Sequence, residues 1–506
     1  MAENLRETNP SMGDGLADRP HPTMADGAIE PALRRKRLMP YPWVWDWLDG
    51  QRRRRMMPRL KGPTHLLFLF VDHYEPEDWE TVQAWAERYP KVAGQHRDAD
   101  GRPPQYAWFW FFPGASAQDE VRYLRTLGRL AFDGWGEVEL HLHHENDTAQ
   151  TLHADLERRL RLSNETGAML TAAASPQRAY GFIHGMWALD NSRLGAYCGV
   201  NNELQVLKAT GCYADFTLPS WGPMQSRWVN RIYMATDDPQ RPKSYDTGTP
   251  VRVGQRPEGD LLIMQGPTVL HVEQLWKRER PVYDHGDITF VEPPSELRLN
   301  RWVQQHVHVE GRPEWVFVKV YTHGAVRRDL DTLLGPAANE LFGDLGRRYN
   351  DGERYVLHYV TPREAYNIIQ AAADGRSGNP NEYRDYRIPP PANEWVYSSS
   401  RLRLEHCAPG QALSAQLLDP GEHELLSHGW GLHAVKGRVV RAAWRTCDSG
   451  RSAELELQGA GWVSATLQAP PAQLTAPEGV IIRNDGPVVH FQLPNDQVQR
   501  IAVAWS

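Results

Sequence analysis

From residue 64 onward, short apolar runs alternate with amphipathic segments, and this alternation constrains the fold more than any other feature of the chain. It is typical of βα units around a parallel sheet. Eight strands are predicted, over residues 64–71, 105–112, 137–143, 180–184, 213–218, 261–265, 315–322 and 354–360. Helices are predicted over residues 77–89, 117–132, 148–165, 201–210, 328–349 and 361–373. Seven or eight strands with intervening helices favour a barrel, whose chemistry lies at the C-terminal ends of the strands.

The segments before and after this region have different compositions. Residues 1–30 have the composition of a disordered tail, and residues 31–61 form a basic, Trp-rich arm. Residues 376–393 carry the Gly, Asn and Pro of a linker, and residues 394–506 contain only short strands separated by turns. The sequence therefore predicts an α/β chain with a distorted (β/α)7-type barrel over residues 62–375, followed by a C-terminal antiparallel β-sandwich domain.

Composition excludes several classes of protein. The formal net charge of −7 over 506 residues gives no case for nucleic acid as a partner. Four cysteines at positions 198, 212, 407 and 447 form no C-x-x-C pair, so we expect reduced thiols. Residues 1–29 lack the apolar core of a secretory signal, and no window approaches the roughly 18 apolar residues of a membrane span. We therefore expect a cytoplasmic protein.

The arm combines Trp43, Trp45 and Trp47 with basic clusters on both sides. Tryptophan favours the headgroup level of a bilayer, and Lys and Arg are attracted to anionic lipids. Residues 34–59 are therefore candidates for peripheral membrane contact. An arm packed against the main domain is the alternative.

Two predicted strands end in ionisable residues. The first delivers Asp72 and His73, a pair that is costly to bury without a partner or a metal. An Asp that caps the following turn is the alternative for Asp72. The third ends in His141, His143 and His144, where strand alternation places His141 and His143 on one face with Glu139. Neutral imidazoles bind zinc, iron or nickel, so this cluster predicts a divalent metal site.

Further candidates surround this predicted site. Asp147 follows the histidine cluster, as a metal ligand or as the N-cap of the next helix. A late strand runs into His323, an imidazole positioned to act as general acid. Between them lies a turn-rich loop whose polar and aromatic groups suit a sugar pocket, with a purely structural loop as the alternative; its candidates are His184, Trp187, Asp190 and Asn191.

Together these residues resemble the polysaccharide deacetylase superfamily over about residues 62–375. Asp72-His73 occupies the position of that family's Asp-Asp motif, and His143-x-x-x-Asp147 is the nearest match to its His-x-x-x-His motif, with His141 as a substitute ligand. The segment from Gly211 to Pro219, which contains Asp215, is similar to the family's Gly-x-x-Tyr-Asp-x-Ser pattern, and the end of the late strand is similar to its Leu-x-His motif. No G-x-S-x-G elbow, P-loop or G-x-G-x-x-G motif is present.

The resemblance implies a metal-dependent hydrolase that removes an acyl group, first of all acetyl, from a sugar or glycan precursor in polysaccharide biosynthesis. The implied cofactor is Zn2+, with Co2+ or Ni2+ as alternatives. The predicted site has Asp72 and His323 as catalytic groups and Asp72, His73, His141, His143 and Asp147 as metal ligands. At the substrate it has His184, Trp187, Asp190 and Asn191 from the turn-rich loop, together with Asp215. Another metal-assisted sugar modification, or a catalytically silent glycan-binding or scaffold protein, remain the alternatives.

Overall fold

The computed structural model describes residues 42–111, 117–165, 179–220, 222–277, 283–388, 396–397, 402–405, 413–417, 422–427, 432–447, 452–467, 469–495 and 497–505. The predicted tail over residues 1–30 and the first part of the arm lie outside these residues. In the described part of the chain, no helix is both long and apolar enough to cross a membrane.

The strands before residue 360 form two sheets. They are β1 (Thr64–Tyr74), β2 (Tyr106–Trp110), β3 (Gly136–Leu142), β4 (Tyr180–His184), β5 (Cys212–Asp215), β6 (Ile232–Ala235), β7 (Gly248–Pro250), β8 (Leu261–Met264), β9 (Val269–Leu270), β10 (Tyr283–Asp284), β11 (Trp315–Thr322) and β12 (Tyr355–Tyr359). The helices are α1 (Pro42–Arg55), α2 (Trp79–Ala93), α3 (Ala117–Phe132), α4 (Ala149–Glu165), α5 (Glu203–Ala209), α6 (Val272–Lys277), α7 (Glu296–Gln304), α8 (Leu330–Leu333), α9 (Pro336–Tyr349) and α10 (Pro362–Ala373). Short 3-10 helices cover Gly185–Trp187, Leu189–Asn191, Gly222–Met224, Ser244–Asp246, Arg327–Asp329 and Pro380–Tyr383.

The larger sheet has ten strands in the order β11-β1-β2-β3-β4-β5-β8-β6-β7, with β12 paired to β1. Strands β11, β1 to β5 and β8 run parallel, and β6 and β7 add an antiparallel edge. The predicted α/β class with a parallel-rich sheet is thus confirmed. Among the described residues no ladder of hydrogen bonds joins β8 to β11, so the prediction of a closed (β/α)7 barrel is not confirmed. A side chain makes a connection across this gap: Lys319, on β11, donates to the carbonyl oxygens of Phe216 and Leu218, which follow β5.

The two faces of β1 have different surroundings. Leu66, Phe68, Phe70 and Tyr74 belong to the hydrophobic core that the helices cover. Side chains alternate along a strand, so the odd-numbered residues, including His73, face the opposite side of the sheet. On β3, Val138, Leu140 and Leu142 share that core, which leaves the odd-numbered residues on the same inner side as His73. This inner side is where the ionisable residues collect.

One predicted helix is divided. The prediction over residues 328–349 is observed as α8 and α9, with Gly335 between them in an extended conformation (φ −144°, ψ −152°). Proline has no amide N–H and disfavours a helical conformation in the residue before it. Pro336 therefore begins a new helix.

The Trp-rich arm packs against the parallel-sheet region over the residues that form α1. Trp43, Val44 and Trp47 are buried, and Trp47 Nε1 donates to the carbonyl oxygen of Thr268 at 3.0 Å. Arg54 donates to the carbonyl oxygen of Gln305 at 2.8 Å. Residues 42–55 therefore follow the second alternative given for the arm, in which it packs against the main domain.

Residues 376–388, the first part of the predicted linker, pack against α10. The side-chain amide of Asn367 donates to the carbonyl oxygen of Arg384 at 2.6 Å, and Arg384 is itself buried, donating to Glu364 at 2.9 Å. This segment is therefore fixed to the parallel-sheet region. The other linker residues, 389–393, lie outside the described part.

After residue 395 the described strands form one antiparallel sheet. They are β13 (Val396–Tyr397), β14 (Leu402–Glu405), β15 (Leu413–Leu417), β16 (Glu422–Ser427), β17 (Leu432–Cys447), β18 (Ser452–Leu467), β19 (Gln473–Thr475), β20 (Ile481–Asp485), β21 (Val488–Leu493) and β22 (Gln499–Ala504). The long strands β17 and β18 each change neighbours midway, from β16 to β15 and from β22 to β21. The antiparallel prediction is confirmed, but hydrogen bonds join these strands into one sheet, whereas a sandwich has two.

Candidate metal centres

Four residues at the C-terminal ends of β1 and β3 converge on the inner side of the parallel sheet, and we call them the first centre: His73, Glu75, His141 and His143. Glu75 Oε1 lies 2.9 Å from His141 Nε2 and 3.2 Å from His143 Nε2, and the two nitrogens are 3.1 Å apart. Ligand atoms around a tetrahedral metal with bonds near 2.0–2.1 Å are about 3.3 Å apart. The first centre thus has the spacing of a metal-ligand set, and His73, Glu75 and His141 together satisfy the geometry of a possible metal group.

The sheet itself fixes the tautomer of His141. His141 Nδ1 lies 2.9 Å from the carbonyl oxygen of Ile183, its register partner on β4. A carbonyl only accepts, so Nδ1 carries the proton and the neutral ring presents a lone pair at Nε2. That lone pair faces the carboxylate of Glu75. Two acceptors at this distance need a cation or a proton between them, and a fixed Nδ1–H is the usual support for a metal-binding imidazole.

Electrostatics keeps the ligands in their metal-binding forms. Burial lowers the pKa of His141, and burial together with the neighbouring His323 lowers the pKa of His73 well below its usual value. Burial alone would raise the pKa of Glu75, but the hydrogen bonds with His141 and His143 hold that pKa well below its usual value. At neutral pH His73 and His141 are therefore neutral imidazoles beside the carboxylate of Glu75, which are the forms that bind metals.

His323 and Trp187 complete the surroundings of the first centre. The His323 ring stacks on His73 with centroids 4.6 Å apart, and burial lowers its pKa to about 4. The Trp187 ring lies 5.6 Å from His73 and 5.8 Å from His323, centroid to centroid. The structure thus brings His323 to the predicted metal ligands, and one residue of the turn-rich loop with it.

Asp72 lies elsewhere. It is fully buried on the helix-facing side of β1, where its carboxyl group accepts from the Gly324 amide at 2.6 Å and from the Tyr106 hydroxyl at 2.8 Å. Burial raises its pKa well above the usual value. β1 continues to Tyr74, so alternation sends Asp72 away from His73 and the other ligands. This placement argues against the predicted roles of Asp72 as base and ligand, and makes it an anchor for the turn that carries His323.

A second group, which we call the second centre, consists of His144, His184, Cys198 and Glu203. His144 Nε2 lies 3.0 Å from Glu203 Oε1 and 2.9 Å from His184 Nε2, and the latter is 3.3 Å from Glu203 Oε1. Burial alone would lower the pKa of His144, but its hydrogen bonds, first that with Asp147, hold it well above the usual value. Burial lowers the pKa of His184 to about 4. The raised pKa of His144 favours a proton on its ring, and the four residues of the second centre together could hold a metal ion.

The second centre accounts for two predicted residues. Asp147, predicted as a ligand beside His143, accepts instead from His144 Nδ1 at 3.0 Å and from the Thr151 hydroxyl at 2.7 Å. His184, predicted at the substrate, is a member of the second centre. Asp147 and His184 both contact His144, the residue next to His143 in the chain. The predicted roles of Asp147 at the metal and of His184 at the substrate stay predictions.

The other predicted substrate residues make internal contacts. Asp190 is fully buried and accepts from the Ser244 amide at 2.5 Å. The side chain of Asn191 donates to Asn201 at 2.7 Å. Asp215 is fully buried, accepts from the Thr217 hydroxyl at 2.6 Å, and burial raises its pKa to about 7. Of the predicted substrate residues, Trp187 is the one with ring contacts to the first centre.

Glu75, Cys198 and Glu203 were not among the predicted site residues. A signal for Glu75 exists, because it lies two positions after His73 and so continues the same face of β1. Cys198 and Glu203 follow β4 at a distance and belong to no motif that connects them with His144. Their role depends on tertiary structure alone.

No family model matches the sequence, and the comparisons with curated proteins and with solved structures give no match either. Candidate functions therefore rest on the two centres themselves.

Proposed function

We propose that this protein is a metal-dependent hydrolase that removes an acyl group, first of all acetyl, from a sugar or glycan precursor. The observation that carries the proposal is the convergence of Glu75 Oε1 with two histidine Nε2 atoms, one of which has its lone pair directed by the sheet. Buried imidazoles and a carboxylate in this arrangement suit Zn2+, with Co2+ or Ni2+ as alternatives.

The arrangement of strands supports a barrel enzyme. The parallel strands β11, β1 to β5 and β8 follow one another in the sheet, and β12 adds an eighth parallel strand on β1, which is close to the number in the (β/α)7-type barrel that the resemblance implied. Glu75 follows the C-terminal end of β1, and His143 that of β3, which is where barrels keep their chemistry. We therefore extend the proposal to a distorted barrel that is closed without a complete ladder between β8 and β11.

In the proposed reaction, Glu75, His141 and His143 hold the metal, with His73 beside them. A divalent ion bound there supplies a Lewis acid that polarises an acyl carbonyl and activates water. His323 is neutral, and we assign it the proton transfers: its imidazole takes a proton from the attacking water and returns it to the leaving amine or alkoxide. This assignment moves the base from Asp72 to His323.

The buried indole of Trp187 packs beside His73 and His323, and it supports a sugar substrate through its chemical type, since aromatic rings stack on sugar rings. A role in polysaccharide biosynthesis and a cytoplasmic location stay predictions.

The proposal is tested by acetate release from N- and O-acetylated sugars and sugar nucleotides. We expect activity that is abolished by a chelator and restored by zinc, cobalt or nickel. Glu75→Gln should weaken metal affinity at least about 100-fold, whereas Glu77→Gln, at an exposed position two residues away, should not change it. Tight metal binding without acetate release would favour another metal-assisted sugar modification. A wild-type protein that binds no metal and gains no activity from metals would contradict the proposal and favour a glycan-binding or scaffold role.

A further inference from the structure

We propose that the second centre is a closed metal site of its own, which takes a zinc-like ion through His144, His184, Cys198 and Glu203. We further propose that this ion holds the loop between β4 and α5 in the conformation that places Trp187 against the first centre. This inference does not depend on the proposed hydrolase activity.

The ligand set is complete and buried. Side chains of His184 and Glu203 are fully buried, that of His144 is 4% exposed, and Cys198 is fully buried. Two imidazoles, a thiol and a carboxylate provide the nitrogen, sulfur and oxygen atoms that Zn2+ prefers, and four protein ligands are the mark of a structural site. By contrast, the first centre is lined by a partly exposed Glu75 and His143.

Each ligand has a partner that directs it inward. His184 Nδ1 donates to the carbonyl oxygen of Gly185 at 2.6 Å, and His144 Nδ1 donates to Asp147 at 3.0 Å. Both rings in their neutral forms therefore present lone pairs at Nε2, and these atoms lie 2.9 Å apart. Glu203 Oε1 is a third acceptor within 3.3 Å of both. A proton can lie between only two of these acceptor atoms at a time, whereas a divalent ion can bind all of them at once.

The outer atoms of the other two ligands are also occupied. Cys198 Sγ accepts from the Val200 amide at 3.4 Å, while burial and the nearby Glu203 raise the pKa of the thiol, so a bound metal would take the place of its proton. Glu203 Oε2 accepts from the Asp190 amide at 2.5 Å and lies 3.6 Å from Cys198 Sγ, while Oε1 lies beside the two imidazoles. These outer contacts form the kind of second layer that orients metal ligands.

The loop between β4 and α5 needs a constraint from outside its own backbone. Six of its residues that are not glycine have positive φ, namely Met186, Trp187, Asp190, Asn191, Leu194 and Tyr197. This conformation is unfavourable for residues with a Cβ and persists when the surrounding structure imposes it. His184 lies immediately before the loop, and Cys198 and Glu203 lie at its end. An ion at the second centre joins these ends to each other and to His144.

The same loop connects the two centres. Gly185 follows His184, and a Cβ placed on it would lie 2.3 Å from Cδ2 of His143, so the loop begins directly against the first centre. Two residues later, Trp187 contacts His73 and His323. The second ion would therefore act on the first centre through position, by fixing where the loop starts and where its indole lies.

Metal analysis combined with X-ray absorption on the full chain tests the site. Wild-type protein loaded with zinc should hold two ions per chain, and the spectrum should contain one sulfur neighbour at about 2.3 Å. Cys198→Ser should lose that sulfur signal and about one ion, whereas Cys212→Ser, at another buried cysteine, should keep both. Glu75→Gln should lose the other ion and keep the sulfur signal, which separates a failure at the second centre from a failure of the proposed hydrolase site.

The role of the loop has its own readout. Trypsin cleavage after Arg193 should accelerate in Cys198→Ser and in chelated wild type, and should stay at the wild-type rate in Cys212→Ser. If Cys198→Ser does not fold, cobalt-substituted wild type decides, since a bound thiolate gives a near-ultraviolet charge-transfer band. Zinc-loaded wild type with no sulfur neighbour and no such cobalt band would overturn the site, leaving a shared proton in it. Unchanged trypsin cleavage in the metal-free protein would overturn the loop role.

Discussion

The sequence and the structure assign different roles to Asp72, and two substitutions at this position distinguish these roles. If Asp72 were a metal ligand or a base, Asp72→Asn and Asp72→Ala would both abolish function. In the structure its carboxyl group instead accepts from Gly324 and Tyr106 on the helix-facing side of β1. The two substitutions should then differ strongly in stability and little in metal content.

The magnitudes follow from those two hydrogen bonds. Alanine leaves the Gly324 amide and the Tyr106 hydroxyl buried without an acceptor, and each unsatisfied group costs about 1–3 kcal/mol. Asp72→Ala should therefore lower the free energy of unfolding by about 2–6 kcal/mol. Asparagine keeps a carbonyl for Gly324 and has the shape of the protonated acid, which the raised pKa of Asp72 favours. Its cost should stay below about 1.5 kcal/mol.

Urea unfolding and metal analysis on the same preparations provide the assay. We expect Asp72→Asn to bind the metal of the first centre as wild type does, and Asp72→Ala to unfold at lower urea concentration. A folded Asp72→Asn protein with an unchanged unfolding midpoint and without that metal would refute the reasoning, because it would make Asp72 a ligand after all.

Three further predictions follow from single contacts. Gly185→Ala would push a Cβ into the ring of His143, so metal affinity at the first centre should fall by about 10-fold or more in a calorimetric titration, while Gly346→Ala, which meets no neighbour, should leave it unchanged. Burial lowers the pKa of His65 to about 4, so the unfolded chain takes up a proton that the folded chain does not, and stability should be lost as pH falls from about 6.5 to 4. His65→Gln should reduce that loss by about 2 kcal/mol in urea unfolding at the two pH values; an equal loss in both proteins would contradict this. Trp45 is 60% exposed on α1, so Trp45→Ala should weaken any sedimentation with anionic vesicles, and an unchanged bound fraction would exclude this indole from membrane contact.

Much of the parallel sheet could be predicted because its strands are continuous apolar runs with clear ends. The predicted strand over residues 315–322 and the predicted helix over residues 117–132 have the bounds of β11 and α3. Barrel closure depends on how the first and last strands meet, which no local pattern encodes. The C-terminal sheet shows the same limit, since its individual strands follow from turns and alternation, whereas the change of neighbours along β17 and β18 does not.

For the first centre, the alternation of β3 correctly placed His141 and His143 on one face, with Glu139. The first predicted strand ends at Val71, whereas β1 continues to Tyr74. Because the strand is three residues longer than predicted, side-chain alternation places Glu75, and not Asp72, beside the histidines. The second centre is different, because Cys198 and Glu203 meet His144 only through the path of a loop rich in left-handed residues.

The central claim is that Glu75, His141 and His143 hold a divalent metal. Anomalous diffraction from crystals of the full chain grown with zinc, recorded on both sides of the zinc absorption edge, tests it most directly. We predict an anomalous peak within bonding distance of Glu75 Oε1 and of both Nε2 atoms, about 2.0–2.2 Å from each. A zinc-saturated crystal with no peak among these three atoms, or with its peak at the carboxyl group of Asp72, would contradict the claim.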